Sequence, residues 1–530
     1  MALRVDAAVV GGGHHGLVAA AVLADAGWDV CVLEAAERVG GAVASAQLWP
    51  GFITDLFSAF YPLTAASPVF HALRLSEHGL RWSHAPVVLA HPHQPDTGTA
   101  AVLHHDPVRT AAALAAEHAS DGAAWLELVT LWQRVRDHVL RSIFTPFPPV
   151  RGPFGLLRTL GAADALRFAR FLALPARRMG QELFRGPSGR LLLAGNALHA
   201  DVSLDSPVSG LYGWLLAMLG QDVGFPVPVG GAGQLAAALA RRAQAAGAQL
   251  YTGHRVERIE VCGGRAVAVH SATGLSVRVR RAVIADVSAP SLYRELLPVR
   301  AVPAGLCRDL DRFQWDSPVV KVNWALRGRI PWRAAEVGDA GTVHVGCDEQ
   351  QMVRWVADID SATVPNTPFL LVGQMTTADA SRSPAGTESV WAYTHLPRGV
   401  ADDASANLLA ERVEQVMERF APGFGELVLG RFVQRPSELQ RLDANLVHGA
   451  INGGTAQLHQ QLLFRPVPGL GRPHTPVSGL YLGSAGAHPG GGVHGVCGWL
   501  AARAALAQQG VLGGLRRRIT SAALELLYRG

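Results

Sequence analysis

The sequence predicts an α/β protein that begins with a Rossmann-like domain, and three observations in its first 34 residues carry this prediction. The segment VDAAVV (5–10) is apolar and rich in β-branched residues, as is typical of a buried parallel strand. A glycine turn, GGGHHG (11–16), and a run of small residues, LVAAAVLADAG (17–27), follow it. A second apolar run, DVCVLE (29–34), ends in an acid. Strand, glycine turn, helix, strand and acid in this order form a dinucleotide-binding unit.

The glycines and the acid of this unit each have a physical role. Gly11 permits the tight turn, Gly13 lets the backbone approach a pyrophosphate, and Gly16 lets helix and strand pack closely. The N-terminus of the helix supplies N–H groups and partial positive charge for the phosphates. Glu34 is placed to accept hydrogen bonds from the hydroxyls of a ribose.

The composition is that of a large globular protein and excludes several functional classes. The net charge is +5 and the basic residues are scattered, so nucleic acid is not an expected partner. The five cysteines form no CxxC pair, so neither a disulfide framework nor a metal site is indicated. The N-terminus lacks the layout of a signal peptide, and the apolar stretches fall short of the ~20 residues of a membrane span. We therefore expect a cytoplasmic protein.

The residues after Glu34 indicate which dinucleotide is bound. The segment AAERVGGAVAS contains Arg38 and a glycine doublet, Gly40 and Gly41. This arrangement resembles the GG-doublet flavoproteins, which include amine oxidases and phytoene desaturases. In those families the doublet lets the chain cross close to the FAD diphosphate, so the resemblance implies FAD as the cofactor. They usually carry an arginine directly after the doublet, where this chain has Ala42.

The resemblance narrows over GWDVCVLEAAERVGGAVASAQLWPGFITDLFSAFYPLTAASPV (27–69). This stretch is similar to the phytoene desaturase-related oxidoreductases, and within them to the group named pyridine nucleotide-disulfide oxidoreductase domain-containing protein 2. The opening of that group is typically a GGGHNGL-like run, so His15 replaces an asparagine here. His14 and His15 fill the variable positions of the glycine motif, and we expect both to contact the cofactor without taking part in chemistry. No CxxC dithiol is present to exchange with a disulfide.

Two later segments support the same resemblance. PVPVGGAGQLAAALARRAQAAGAQLYTGHRVERIEV (226–261) resembles the central stretch of the family, in which the backbone at the position of Val256 contacts the adenine. SGLYLGSAGAHPGGGVHGVCGWLAARAAL (478–506) resembles the closing flavin segment, with a strand, a glycine-rich turn and a helix that we expect to begin near Val493. The residues expected to hold the cofactor in this segment are Gly486, Gly491, Gly492 and Val493.

The three cofactor segments are far apart, so the FAD-binding domain must be discontinuous. We assign it residues 1–75, 226–300 and 470–510; the substrate domain comprises 76–225 and 301–469, and 511–530 form a C-terminal helix. The predicted fold is therefore α/β, with a Rossmann-like, glutathione reductase-type FAD-binding domain. The resemblance to amine oxidases and phytoene desaturases implies a discontinuous α+β substrate domain beside it.

Two amphipathic segments that contain arginines are candidates for contact with a membrane or a partner. The segment 158–184 is interpreted as a core-facing helix, and a place on a membrane surface or in the wall of a cavity is the alternative. The segment 516–530 has the same ambiguity, so peripheral membrane contact stays open, as does a homodimer. No second dinucleotide motif occurs in a strand–turn–helix context. This favours oxygen, a quinone or another acceptor over a nicotinamide cofactor for reoxidation.

Three residues are candidates for catalysis. Lys321 is the single lysine of the chain, and in SPVVKVNWALRGRIPW it shares a strand face with Asn323. In related amine oxidases a lysine on the comparable strand holds a water at the flavin, and the alternative is an exposed lysine with no role. His488 and His494 flank the PGGG turn and could orient substrate or move a proton, or else cap backbone groups. Asp55 and Ser58 are expected to make structural hydrogen bonds.

The sequence therefore predicts an FAD-dependent oxidoreductase. The favoured activity is that of a desaturase or dehydrogenase, in which hydride leaves an apolar small-molecule substrate for flavin N5. An amine oxidase and a redox-neutral flavin isomerase are the enzymatic alternatives, and an amine oxidase would present an aromatic pair to the flavin. A regulatory protein that FAD stabilises, with little turnover, is the alternative from another class, because the arginine after the doublet is missing.

Overall fold

Two seven-stranded sheets organise the chain in the computed structural model, which describes residues 2–346, 348–510 and 512–528. The strands are β1 (Ala2–Val10), β2 (Val30–Leu33), β3 (Ser45–Trp49), β4 (Phe52–Asp55), β5 (Trp82–Ser83), β6 (Val87–Pro92), β7 (Ala100–Leu103), β8 (Val227–Pro228), β9 (Gln249–Tyr251), β10 (Val256–Cys262), β11 (Arg265–Ser271), β12 (Ser276–Ala285), β13 (Val319–Leu326), β14 (Ala340–Val345), β15 (Leu370–Gln374), β16 (Glu388–His395), β17 (Val428–Gln434) and β18 (Leu480–Leu482).

The first sheet is the predicted Rossmann-like sheet. Its order is β10-β11-β12-β1-β2-β9, and β18 pairs with β12. The strands β12, β1, β2 and β9 run parallel, whereas β10, β11 and β12 pair in antiparallel order as a meander. All of these strands come from the three segments assigned to the FAD-binding domain, and the exact domain boundaries stay predictions.

Both faces of this sheet are covered, as a parallel sheet requires. Along β1, Ala7 and Val9 pack into one apolar cluster, and Ala8 and Val10 pack into another on the opposite face. All four side chains are buried. The first face is covered by helices rich in alanine and glycine, whose small side chains allow close approach to the strands.

The second sheet has the order β17-β13-β16-β15-β14-β6-β7 and is antiparallel except for the β14–β6 pair. Its strands come from the two segments assigned to the substrate domain. Every residue of β13 is buried, since helices and loops cover both faces of this strand. The interpretation of Lys321 as an exposed strand residue is therefore wrong.

The α-helices connect and cover the two sheets. They are α1 (His14–Asp25), α2 (Pro62–Ala66), α3 (Pro68–Leu73), α4 (Pro107–Glu117), α5 (Ala119–Ile143), α6 (Arg151–Ala173), α7 (Ala176–Leu183), α8 (Pro187–Ala197), α9 (Ser209–Asp222), α10 (Ala232–Ala245), α11 (Ala289–Ser291), α12 (Ala304–Leu310), α13 (Glu349–Asp360), α14 (Met375–Ala378), α15 (Asp403–Phe420), α16 (Pro436–Leu442), α17 (Val496–Gln509) and α18 (Gly513–Tyr528).

Two of these helices differ from the predictions, and a third lies partly outside the described residues. The helix α17 begins at Val496, three residues after the predicted start, because Gly495 caps it with a positive φ of 72°. The helix α6 kinks at Gly161 and buries little besides Phe168, so the core-facing interpretation of this segment holds only in part. Of the predicted C-terminal helix, Val511 and residues 529–530 lie outside the described residues, as do Met1 and Cys347.

None of the helices within the described residues combines the length and the apolar character needed to cross a membrane.

Candidate active site

One cavity of about 1190 Å³ collects almost all of the predicted site residues, although they come from distant parts of the chain. Gly16 and Gly40 lie behind its wall. The predicted residues that line it are Gly11, Gly13, His14, His15, Glu34, Arg38, Gly41, Val256, Lys321, Gly486, His488, Gly491, Gly492, Val493 and His494. Residues from both sheets therefore share one site.

The glycine turn between β1 and α1 leaves no room for side chains. A Cβ atom at Gly11 would lie 2.6 Å from the carbonyl oxygen of Asp286, and φ at Gly11 is 94°. A Cβ at Gly16 would lie 2.2 Å from the carbonyl oxygen of Gly11. The first glycine of the doublet is tied to the turn, since the N–H of Gly40 donates to the carbonyl of Gly12 at 2.8 Å. The two glycine segments thus form one cradle with bare backbone facing the cavity.

Glu34 holds the position at the end of β2 that the motif predicts for the ribose acid. Its carboxylate accepts the N–H of Gly12 at 2.6 Å and the N–H of Ala36 at 2.8 Å. These bonds fix the carboxylate against the glycine cradle. Arg38 lies beyond it, exposed, and donates to the carbonyl of Ser45 at 3.0 Å.

Two further carboxylates of the cradle were missed by the sequence analysis. Asp286 follows β12 and accepts the N–H of Gly16 at 2.8 Å. Burial raises its pKa to about 8, and the neighbouring Asp443 and Glu34 add to this increase. Burial and Glu34 raise the pKa of Asp443 to about 6. Because strand ends meet at one edge of a parallel sheet, the segment AVIAD could have revealed Asp286. Nothing local in the sequence marks Asp443.

A cluster of buried imidazoles surrounds the N-terminus of α1. The ring centroids of His14 and His15 are 4.0 Å apart, and those of His15 and His494 are 5.1 Å apart. Burial lowers the pKa of His14 to about 4 and that of His494 to about 3, so both are neutral at physiological pH. Nε2 of His14 has no hydrogen-bond partner within the described residues, whereas the His15 ring lies against the backbone of Gly495.

The N-terminus of α17 packs directly against this cluster. A Cβ at Gly498 would lie 1.9 Å from the carbonyl oxygen of His15, so only glycine allows the observed approach of α17 to α1. Val493 lies in the turn that precedes α17, and its carbonyl accepts a hydrogen bond from Thr64. The N-termini of two helices therefore converge on the cavity, and their partial positive charges favour an anionic ligand there.

Three side chains beside the N-terminus of α17 are close enough together to bind a metal ion, but their protonation and hydrogen bonds do not favour one. One atom each of His15, His494 and Cys497 lies within 4.8 Å of the others. Both nitrogens of His494 already face backbone partners, the carbonyl of Gly490 at 3.2 Å and the N–H of Val496 at 3.1 Å. Burial raises the pKa of the Cys497 thiol to about 12. Since the two helix N-termini also disfavour a cation, we assign no metal to this group.

Lys321 projects from β13 into the cavity wall. Its ammonium donates to the carbonyls of Asp55 and Phe57, the latter at 3.3 Å, and lies 5.3 Å from the ring centroid of Trp391. Burial lowers the pKa of Lys321 to about 7. Protonated and neutral forms of this amine are therefore both accessible near neutral pH.

Asp55 makes structural hydrogen bonds, as its sequence position predicted. Its carboxylate pairs with the buried Arg382 at 2.7 Å and accepts the N–H of Ala232 at 2.7 Å. Ser58 donates to the carbonyl of Ala42 at 2.7 Å. These bonds join the doublet, the start of α10 and the second sheet behind the cavity.

Away from the glycine cradle, the cavity wall is mostly apolar. The carboxylates that line the cavity are Glu34, Asp286, Glu295 and Asp443, and each comes from a segment beside the cradle or next to Val256. Beyond the cradle the described lining contains no carboxylate. Its members include Phe57, Phe60, Ile143, Phe144, Val202, Val208, Leu211, Tyr212, Leu215, Leu216, Phe225, Lys321, Trp391, Tyr393, Leu458 and Leu462.

His488 and Arg465 stabilise the glycine-rich turn of the C-terminal flavin segment. Nε2 of His488 hydrogen-bonds the carbonyl of Thr145 at 3.0 Å, and burial lowers the pKa of this histidine. The buried guanidinium of Arg465 donates to the carbonyls of Ala485, at 2.8 Å, and Asn452, at 2.7 Å. No sequence pattern marks Arg465, because its role depends on carbonyls that only the tertiary structure brings together.

These residues fit FAD. The bare backbone of the cradle and the two helix N-termini suit a diphosphate, and Arg38, Arg255 and Arg441 add positive charge to the lining. The missing arginine after the doublet is therefore offset by other groups.

Comparison with known proteins decides the family. The family model described as flavin-containing amine oxidoreductase matches residues 16–506. The chain belongs to the flavin-containing amine oxidoreductase family. As a member of this family it is an FAD-dependent oxidoreductase, with FAD as its cofactor. The predicted enzyme class and cofactor are confirmed.

Relatives within the family confirm the predicted resemblance and fold. The chain is 28% identical to pyridine nucleotide-disulfide oxidoreductase domain-containing protein 2 of Rattus norvegicus, over 93% of this chain and 92% of the relative. It is 26% identical to the neurosporene-forming phytoene desaturase of Cereibacter sphaeroides over 54% of each chain. The solved structure of putrescine oxidase bound to putrescine matches with a TM-score of 0.60 at 17% identity, covering 96% of this chain and 99% of that one. This last likeness shows the fold alone.

Proposed function

We propose that this oxidoreductase removes hydride from a neutral, apolar small molecule, as a desaturase or dehydrogenase does. The observation that carries the proposal is the cavity wall beyond the glycine cradle, which is mostly apolar and has no carboxylate among its described residues. A substrate ammonium would enter this chamber without a counter-ion and beside the ammonium of Lys321. A neutral, apolar substrate loses little on leaving water and gains from burial.

The chain contributes positioning, water exclusion and one titratable group. FAD, when bound, supplies the acceptor for the hydride that leaves the substrate carbon. The apolar wall excludes water from the reacting carbon. The amine of Lys321, with a pKa near 7, can hold or release a proton at Nζ, while the carbonyls of Asp55 and Phe57 keep it in place. We propose oxygen or a quinone as the final electron acceptor, because no second dinucleotide motif occurs in a suitable context.

Amine oxidation is the second candidate function, and one observation favours it. The rings of Trp391 and Tyr393 both line the cavity beside Lys321, with centroids 5.9 Å apart and planes inclined by 25°. An aromatic pair of this kind is what an amine oxidase would present to its substrate. Burial of a free amine, rather than an ammonium, would remove the need for a carboxylate.

Anaerobic reduction of the bound flavin separates the two candidates. Purified protein that is loaded with FAD is mixed without oxygen with neutral apolar compounds and, separately, with aliphatic amines. Bleaching of the oxidised flavin band by neutral compounds supports the proposal. Bleaching by amines alone contradicts it and supports the second candidate. A flavin that dithionite reduces but no compound in either set reduces would favour the regulatory alternative.

A further inference from the structure

An exposed apolar surface lies next to one opening of the cavity. Its residues come from the start of α6 and from the loop before the C-terminal flavin segment, and each is between 37% and 71% exposed. We call it the apolar rim, and its members are Val150, Phe154, Leu157, Leu462, Leu463 and Phe464. Clustered exposed side chains of this size mark an interaction surface more often than isolated ones do.

Hydrogen bonds and close packing hold the two parts of the rim together. Arg472 donates to the carbonyl of Phe147 at 2.9 Å, next to the start of α6. A Cβ at Gly471 would lie 2.7 Å from Cα of Leu463, so the loop carrying Leu463 packs tightly on the same segment. The α6 side and the loop side are therefore neighbours in the folded chain.

The rim lies beside an opening of the cavity. Leu458, His459 and Leu462 line the cavity and are also exposed, so the cavity opens to solvent between them. Pro149, the second residue before α6, lines the cavity from the other side. A molecule that passes through this opening crosses the apolar rim.

The two stretches of chain that supply the rim carry only positive charge. No aspartate or glutamate occurs between Asp137 and Asp164, or between Asp443 and Glu525, although these two stretches supply the whole rim. Exposed arginines occur in both stretches, and they form no ion pair with any residue that the structure describes. The arginines nearest the rim are Arg141, Arg151, Arg158 and Arg472.

We propose that the apolar rim docks the enzyme on the surface of an anionic lipid bilayer. The apolar side chains would enter the boundary between headgroups and acyl chains, and the arginines would lie among the phosphates. A protein partner would need its own acidic and apolar face, whereas a bilayer offers both features over an unlimited area. The proposal rests on the surface alone and stands whether the substrate is an apolar molecule or an amine.

Vesicle flotation tests this proposal with the FAD-loaded protein. We expect the enzyme to float with vesicles of phosphatidylcholine mixed with phosphatidylglycerol and to bind phosphatidylcholine vesicles far more weakly. The double variant Phe154→Asp with Leu463→Asp should lose binding at least roughly tenfold. The double variant Arg151→Gln with Arg158→Gln should lose the preference for anionic lipid, and added salt should have the same effect on the wild type.

A matched control places the same change on another surface. Leu408→Asp with Leu429→Asp replaces two leucines that are 42% and 53% exposed on α15 and β17, and it should bind vesicles as the wild type does. Flavin absorbance and the unfolding temperature verify that each variant is folded. Failure of the wild type to float with either vesicle overturns the proposal, as does equal loss of binding in the control. A dimer that the rim variant dissociates, in a protein that binds no lipid, would identify a second copy of the chain as the occupant.

Discussion

Lys321 occupies a position where a charged amine is strongly disfavoured, in a chain that otherwise uses arginine for its basic residues. Two backbone carbonyls and the face of Trp391 hold the ammonium, but they do not offset the loss of water, so the pKa falls to about 7. Arginine would stay protonated throughout the accessible pH range. A group that must change its protonation state near neutral pH can therefore be lysine and cannot be arginine.

Replacing Lys321 should remove one limb of the pH dependence of flavin reduction. We expect Lys321→Met to slow anaerobic flavin reduction by about 10²- to 10⁴-fold and to abolish the limb near pH 7. Lys321→Arg keeps the charge but should also lose this limb. Stopped-flow measurement of the rate of flavin reduction across the pH range tests this prediction. An unchanged limb in either variant would exclude Lys321 as its source.

The same substitution should change how stability depends on pH. The pKa of Lys321 is lower in the folded protein than its ordinary value of 10.5, so the folded state disfavours the charged form. Below pH 7 this destabilisation is complete, and it is relieved as the pH rises from 7 towards 10.5. Between about pH 6 and about pH 9 the wild type should therefore gain stability relative to Lys321→Met. Thermal unfolding of both proteins measures this difference, which should vanish if the amine is solvated.

The carboxylates of the glycine cradle should make FAD affinity depend on pH. Burial raises the pKa of Asp443 to about 6 and that of Asp286 to about 8, so both become charged as the pH rises through this range. Each new charge repels the FAD diphosphate, and we expect a loss of roughly tenfold per charge. Fluorescence titration of the apoprotein with FAD should show the fall.

Variants assign this fall to the cradle. Asp443→Asn should remove the lower part of the decrease and leave the part near pH 8. The exposed Asp96→Asn is the control and should behave as the wild type. A constant FAD affinity between about pH 5 and about pH 9 would show that the carboxylates of the cradle do not ionise next to the bound FAD in this range.

At the scale of elements, the helices α1 and α17 meet so closely that one methyl group decides the packing. A Cβ at Gly498 would lie 1.9 Å from the carbonyl oxygen of His15, which is backbone and cannot rotate away. Gly498→Ala should therefore lower the free energy of unfolding by about 1–3 kcal/mol and weaken FAD retention, since both helix N-termini converge on the cavity. Urea unfolding measures the free energy of unfolding, and the fluorescence of released flavin in the same experiment measures FAD retention.

Gly514→Ala is the matched control for this prediction. Gly514 also lies in a helix, α18, and nothing lies within 4 Å of a Cβ built there. Alanine is the better helix former, so we expect a gain of up to about 1 kcal/mol. Similar losses in the two variants would mean that glycine in these helices matters for a reason other than the contact with His15.

Sequence patterns predicted the parts of the site that depend on local backbone requirements. The strand–turn–helix unit around Gly11 and the doublet at Gly40 and Gly41 were recognisable because bare backbone needs glycine at fixed spacings. Asp443 and Arg465 were not predictable, because each acts on groups from distant segments. The start of α17 was placed too early because only the backbone torsion of Gly495 ends the turn, and a glycine-rich run does not reveal which glycine does so.

At the scale of the whole molecule, the two sheets are joined through the site itself. The buried ion pair between Asp55 and Arg382 links the cofactor-binding segment to the connection between β15 and β16 of the second sheet. Lys321 and Asp443, from the segments assigned to the substrate domain, complete the cavity that the glycine cradle begins. Segments that are far apart along the chain are therefore neighbours around the cavity. Both domains are discontinuous for this reason.

FAD should accordingly stabilise both sheets together. At a free concentration of 100 times its dissociation constant, a ligand that binds only the folded state adds about 2.7 kcal/mol of stability. We expect calorimetry to show one transition that moves to higher temperature as FAD is added. Riboflavin, which lacks the diphosphate, should shift it far less because the cradle and the helix N-termini then have no anion to bind. Two transitions, of which FAD moves only one, would mean that the sheets unfold independently and that the cavity does not couple them.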